Sequence, residues 1–185
     1  MQATTILKEE HRVIERVLDA LETAALRLEA GEPVPLDVFA RGADFIKGFA
    51  DGCHHRKEEG ILFPALERAG IPRDAGPIGV MLREHEEGRD FTAAMRDAAE
   101  RLAAGDEDAR EDLVGSALGY VALLRAHIAK EDNVLFPMAD QVLRGPAESE
   151  VAAEFDRVER EETGEGVHRH YLDLAAAIET LASRR

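Results

Sequence analysis

Apolar residues recur at helical spacing along most of the chain. Leu7, Ile14, Leu18, Leu21, Ala25 and Leu28 follow one another at intervals of three, four or seven, which places them on one face of a helix over 2–30. Thr4 or Thr5 is the candidate cap, Gly31 the stop, and Glu32-Pro33-Val34-Pro35 a stiff connection. A second helix is predicted over 37–69 on Phe39, Ile46, Phe49, Ile61, Leu62 and Leu66, with a kink or break at the internal Pro64. A third is predicted over 78–104, and a fourth over 108–142 with an internal Pro137. Gly145-Pro146 then breaks the pattern, and 148–183 reads as a short helix and a longer one around Gly164 and Gly166. Short loops between long helices make neighbours antiparallel, so the expected fold is all-α, an up-and-down four-helix bundle with a C-terminal helical extension.

Composition agrees with helices. The 185 residues are 45% hydrophobic and 33% charged, Trp is absent, and Ala, Leu, Glu and Arg dominate. No β-branched or aromatic run marks a strand. A net charge of −15 repels phosphate backbones and anionic lipid, so neither nucleic acid nor membrane is an expected partner. The single cysteine, Cys53, forms no disulfide within the chain and fits a reducing compartment. Neither a signal peptide nor an apolar run of membrane-spanning length is visible, and a cytoplasmic location is expected.

An internal repeat carries the chemistry. His54-His55-Arg56-Lys57-Glu58-Glu59-Gly60-Ile61-Leu62-Phe63-Pro64 matches His127-Ile128-Ala129-Lys130-Glu131-Asp132-Asn133-Val134-Leu135-Phe136-Pro137 at an offset of 73 residues. Glu10-His11 matches Glu84-His85 at an offset of 74, so the first helix pair is duplicated in the second. Residues four apart share a helix face, which aligns His54 with Glu58 and His127 with Glu131. Imidazoles and carboxylates turned into a helix bundle need a cation to offset their burial. Four histidines and two glutamates suit iron, manganese or zinc better than calcium, which prefers oxygen donors throughout.

These residues resemble the hemerythrin-like (HHE cation-binding) family, whose signature is H…H-x-x-x-E…H…H-x-x-x-E. The resemblance covers about 3–143 and implies a metal-binding bundle over 1–146, with an extension over 147–185 packed on it. It implies that His11 and His54 bind one iron and His85 and His127 the other. Glu58 and Glu131 would bridge the two irons, together with an oxo, hydroxo or water bridge. Oxygen carriers of the family use a fifth histidine from an H-x-x-x-H pair on the third helix. The positions four away from His85 are Met81 and Arg89, so a four-histidine set with an additional open position is expected.

His168 lies in E-R-E-E-x-G-E-G-x-H, similar to an extension in longer members, and is a candidate further ligand or ligand-supporting group, against a plain packing role. His55 and Glu59 are expected on the surface or behind the ligands, Glu15 on a solvated helix face rather than as an extra ligand, Tyr120 as a core aromatic rather than a hydrogen donor to the metal pocket, and Cys53 as a small buried hydrophobe. The expected activity is that of a non-haem di-iron protein that binds and turns over peroxide, dioxygen or nitric oxide, catalase- or peroxidase-like. The alternative is an oxygen- or iron-binding sensor or storage module without turnover. Iron delivery for repair of iron–sulfur clusters ranks below both, because such members carry an N-terminal cysteine segment and this sequence begins at the first ligand helix.

Overall fold

Residues 2–160 and 164–184 are described by the computed structural model, and among them there are helices and no strand. We number the helices α1 (Gln2–Glu29), α2 (37–68), α3 (Gly76–Ala103), α4 (109–142), α5 (Pro146–Val158) and α6 (Gly164–Ala182). The predicted boundaries agree to within two residues for α1 to α4. Gly31 and Gly105 stand just past α1 and α3 with φ of 76° and 97°, the left-handed geometry that terminates helices with glycine. Thr4 and Thr5 are not caps, since α1 already runs through them; Thr4 Oγ1 donates instead to Asp140 Oδ1 of α4 at 2.8 Å.

Neither internal proline breaks its helix. Each follows a stretch of wider π-helical turns, Glu58–Leu62 before Pro64 and Glu131–Leu135 before Pro137. The Phe63 and Phe136 amides reach back five residues, to the carbonyls of Glu58 and Glu131. In a regular α-turn the proline ring would strike the carbonyl four residues earlier; the wider turn accommodates it and the helix continues. A third such stretch, Ile46–His55, leads into His54 and His55.

Two apolar layers are stacked along the helices with a polar layer between them. Ile14, Leu18, Leu21, Phe45, Phe49, Met95, Val121 and Leu124 belong to one. Leu7, Leu62, Phe63, Met81, Leu135 and Phe136 belong to the other. His11, His54, Glu58, His85, His127 and Glu131 are all buried, and each falls in its helix between residues of the two layers. The tail joins both: Phe155 of α5 enters the second layer, while Ala175 and Ile178 of α6 enter the first. No described helix is long and apolar enough to cross a membrane.

Helix α6 seats Tyr171 against Phe45 and Phe49 of α2, over Gly48. A Cβ at position 48 would lie 1.8 Å from the Tyr171 hydroxyl oxygen, a gap only glycine leaves. Gly48→Ala is therefore expected to cost about 1–3 kcal/mol in chemical denaturation and to speed hydrogen exchange in α6. Added to Tyr171→Ala it should cost little more, since the clash is then gone. Parent-like exchange in Gly48→Ala would contradict the seat.

Candidate metal centre

Five buried histidines converge in the polar layer, and each has its Nδ1 against a carboxylate. His11 faces Asp132 at 2.9 Å, His54 faces Glu10 at 3.0 Å and His127 faces Glu84 at 3.0 Å. His85 faces Glu59 at 2.7 Å and His55 faces Asp51 at 2.9 Å. An ionised carboxylate only accepts, so each Nδ1 carries the proton and donates, and in the neutral ring Nε2 is left as a bare lone pair.

The bare nitrogens meet one another. His11 Nε2 lies 3.0 Å from His54 Nε2, and His85 Nε2 lies 3.2 Å from His127 Nε2. The carboxylates fill the space between these pairs. Glu58 turns Oε1 toward His54 at 3.6 Å and Oε2 toward His85 at 3.5 Å. Glu131 sets Oε2 3.1 Å from His11 and 3.3 Å from His127. All four carboxylate oxygens of this pair are buried without a hydrogen-bond partner.

Acceptors facing acceptors repel unless a cation lies among them. Two nitrogens bound to one ion at about 2.1 Å and at right angles would stand about 3 Å apart, which is the spacing observed within each histidine pair. The donor atoms divide into two clusters, each within 4.8 Å throughout: His11, His54, Glu58 and Glu131, and His55, Glu58, His85 and His127. Nitrogen and carboxylate donors in these numbers fit first-row transition metals.

Without a cation, protons have to serve. Burial and the facing Glu131 push the Glu58 carboxyl well above its usual range. Glu131 is itself buried, yet His127 and His11 hold it well below that range. Burial and the neighbouring His11 bring His54 down to about 4. Burial also acts to lower His127, but Glu131 and Glu84 outweigh it and raise that imidazole to about 9.

Cations buttress the outer carboxylates in a pattern that follows the repeat. Lys57 binds Glu10 and Lys130 binds Glu84, so each conserved position of the duplicated motif anchors the carboxylate behind that half's histidine. Asp132 and Glu59 cross over, each orienting the lone histidine of the other half. Arg12 holds Asp132, and Arg89 holds Glu59 at 2.7 Å.

The structure thus brings together six of the seven histidines and glutamates singled out in the sequence as metal ligands. His168 is the exception. It is partly exposed, pairs with Glu159 at 3.5 Å, packs against Phe49, and belongs to neither donor cluster. It borders a half-open cavity of about 270 Å³ together with Glu10 and Glu159, because α6 lies outside the layer in which the ligand atoms meet. His55 is the residue the sequence reading missed: it is buried, not at the surface, and stacks on His85 at 3.8 Å. A fifth imidazole thus stands beside the expected four-histidine set. The spacing Asp51, His54, His55, Glu58, at intervals of three, one and three, is a polar helix stripe that could have signalled it. Glu59 stands behind His85, and Glu15 pairs with Arg12 at 3.0 Å. Tyr120 and Cys53 are buried.

The two halves differ in depth. Lys57 is 1% exposed, covered by the Phe155 ring and reaching Glu159 of the tail at 3.3 Å, whereas Lys130 is 41% exposed. Lys57→Met should therefore cost about 3–5 kcal/mol by taking from the buried Glu10 carboxylate its lysine and leaving it only the His54 Nδ1–H. Lys130→Met should stay within about 1 kcal/mol. Equal losses in denaturant titrations of the two variants would contradict this difference.

A family model described as hemerythrin HHE cation binding domain matches residues 2–139. Uncharacterised proteins of Mycobacterium bovis and Mycobacterium tuberculosis are 31% identical over 173 residues, 94% of this chain and 67% of each relative. The iron–sulfur cluster repair protein YtfE of Salmonella newport is 34% identical over 89 residues, 46% of this chain and 40% of that protein. No solved structure gives a significant match.

Proposed function

The chain belongs to the hemerythrin HHE cation-binding family, and on that footing we propose that it is a non-haem di-iron protein that binds and turns over small oxidants. The observation that carries the reading is the set of four unpartnered carboxylate oxygens of Glu58 and Glu131 facing bare imidazole nitrogens in a dry layer. The up-and-down order of α1 to α4 belongs to the same proposal, as do the two ions and their oxo or hydroxo bridge.

Bound iron would supply one-electron steps on each of two adjacent ions, enough together for the two-electron change of peroxide or dioxygen. The protein's own part is positional. Glu58 directs one oxygen at each histidine pair, and Glu131 places one oxygen between His11 and His127. The outer carboxylates fix ring orientation and, in the neutral ring, place the proton on Nδ1 so that Nε2 is the donor atom turned inward. His11 and His54 with the two glutamates offer four donors on their side, fewer than the six that iron commonly accepts, which leaves room for a small molecule. The apolar layers above and below exclude bulk water.

Protein expressed with iron should carry two irons per chain and consume hydrogen peroxide, and a His54→Ala, His127→Ala double variant should lose most of both. Iron loading with reversible oxygenation and no peroxide consumption would remove the turnover part. Equal metal in parent and variant would remove the centre.

A sensing role is the second reading, and one contact favours it. Lys57 ties Glu10, directly behind His54, to Glu159 at the end of the tail helix. Metal removal should then raise hydrogen exchange in α5 and α6; exchange indifferent to metal would count against it. Iron supply for cluster repair draws support only from the partial match to the Salmonella protein.

A further inference from the structure

We propose that His55 is a fifth imidazole ligand, so that the two metal ions are held by unlike sets: His11 and His54 for one, and His55, His85 and His127 for the other. The inference rests on the two-ion reading and adds to it an asymmetry that the duplicated motif does not carry.

His55 has the same local arrangement as the other four rings. Its Nδ1 donates to Asp51, which turns the opposite nitrogen inward, and one of its ring nitrogens lies within 4.8 Å of donor atoms of Glu58, His85 and His127. The ring is 4% exposed and lies nearly parallel to His85, with 17° between the planes. A packing role would not require a carboxylate behind it, and Asp51 is itself only 22% exposed, with Arg89 3.5 Å away.

Comparison of the two repeats is the strongest evidence. At the offset of 73, His55 corresponds to Ile128 and Asp51 to Leu124. Both counterparts are buried in the apolar layer that contains Leu18 and Phe49. The ligand and the carboxylate that orients it are therefore present together in the first half and replaced together by hydrocarbon in the second. A histidine retained for packing alone would give no reason for its partner to change in step. The widened turns of Ile46–His55 add a structural cause, since they end on the two adjacent histidines and both are buried.

Anaerobic titration of the metal-free protein with Fe(II), followed by Mössbauer spectroscopy on protein loaded with iron-57, tests the assignment. The parent should take up two ions per chain and give two doublets of equal area. His55→Gln should keep one ion at parental affinity, bind the other at least ~10-fold more weakly, and shift one doublet only. Asp51→Asn keeps the imidazole and an acceptor oxygen but removes the acceptor's charge, and should weaken the same ion by a smaller factor; it carries the test should His55→Gln fail to fold. Two ions in the parent with unchanged uptake and spectra in the variants would overturn the His55 assignment alone. A parent that binds fewer than two ions would overturn the two-ion reading and this inference with it.

Discussion

Two carboxylates without partners, set among imidazole nitrogens without protons, impose the constraint around which the rest of the chain is organised. Glu58 and Glu131 lie in a layer that water does not reach, and their oxygens face lone pairs on His11, His54, His85 and His127. Such an arrangement is tolerable only with positive charge inside it. Protons supply some of that charge in the metal-free set, where Glu58 and His127 both move toward their protonated forms. Metal ions would supply it fully. The apolar layers on either side provide the packing that holds the polar layer closed, and they raise the cost of leaving it unfilled.

The outer carboxylates extend the same logic one step outward. Each ring is oriented by an acid, and several of those acids are in turn held by a cation: Lys57 on Glu10, Lys130 on Glu84, Arg12 on Asp132 and Arg89 on Glu59 and Asp51. Charge thus alternates from the centre to the surface. The network also explains the repeated lysine and acidic residue of the duplicated motif, which do not touch the donor space. One buttresses its own half and the other crosses to the opposite half, so each motif supports histidines of both halves.

Duplication and divergence are both visible in the site. The shared plan provides a histidine, a His-x-x-x-Glu pair and their supports in each half. Divergence has added His55 and Asp51 to one half and placed a tail helix over Lys57, while the corresponding lysine of the other half remains open to water. A pair of metal ions in this setting would sit in unequal surroundings, with the tail reaching the lysine behind one histidine pair.

Helix positions and six of the donor residues were legible in the amino-acid sequence because they depend on local periodicity: three- and four-residue apolar spacing marks a buried face, and a repeated His-x-x-x-Glu marks two side chains on that face. Pro64 and Pro137 were legible as disturbances but not as the wide turns that absorb them, since the turn depends on a backbone hydrogen-bond choice one residue removed from the α-helical pattern. His55 was set aside because adjacent residues on a regular helix diverge by about 100°, and only the wide turns and the stacking on His85 bring both histidines inward. His168 was drawn toward the centre by motif alone, and the packing of α6 leaves it outside with Glu159 and Phe49. Periodicity along one helix therefore determined which residues are buried together, whereas the identity of the partners that meet there required four helices in place. A side chain's distance from a residue some forty to more than a hundred positions away is set by packing, and nothing in the local pattern encodes it.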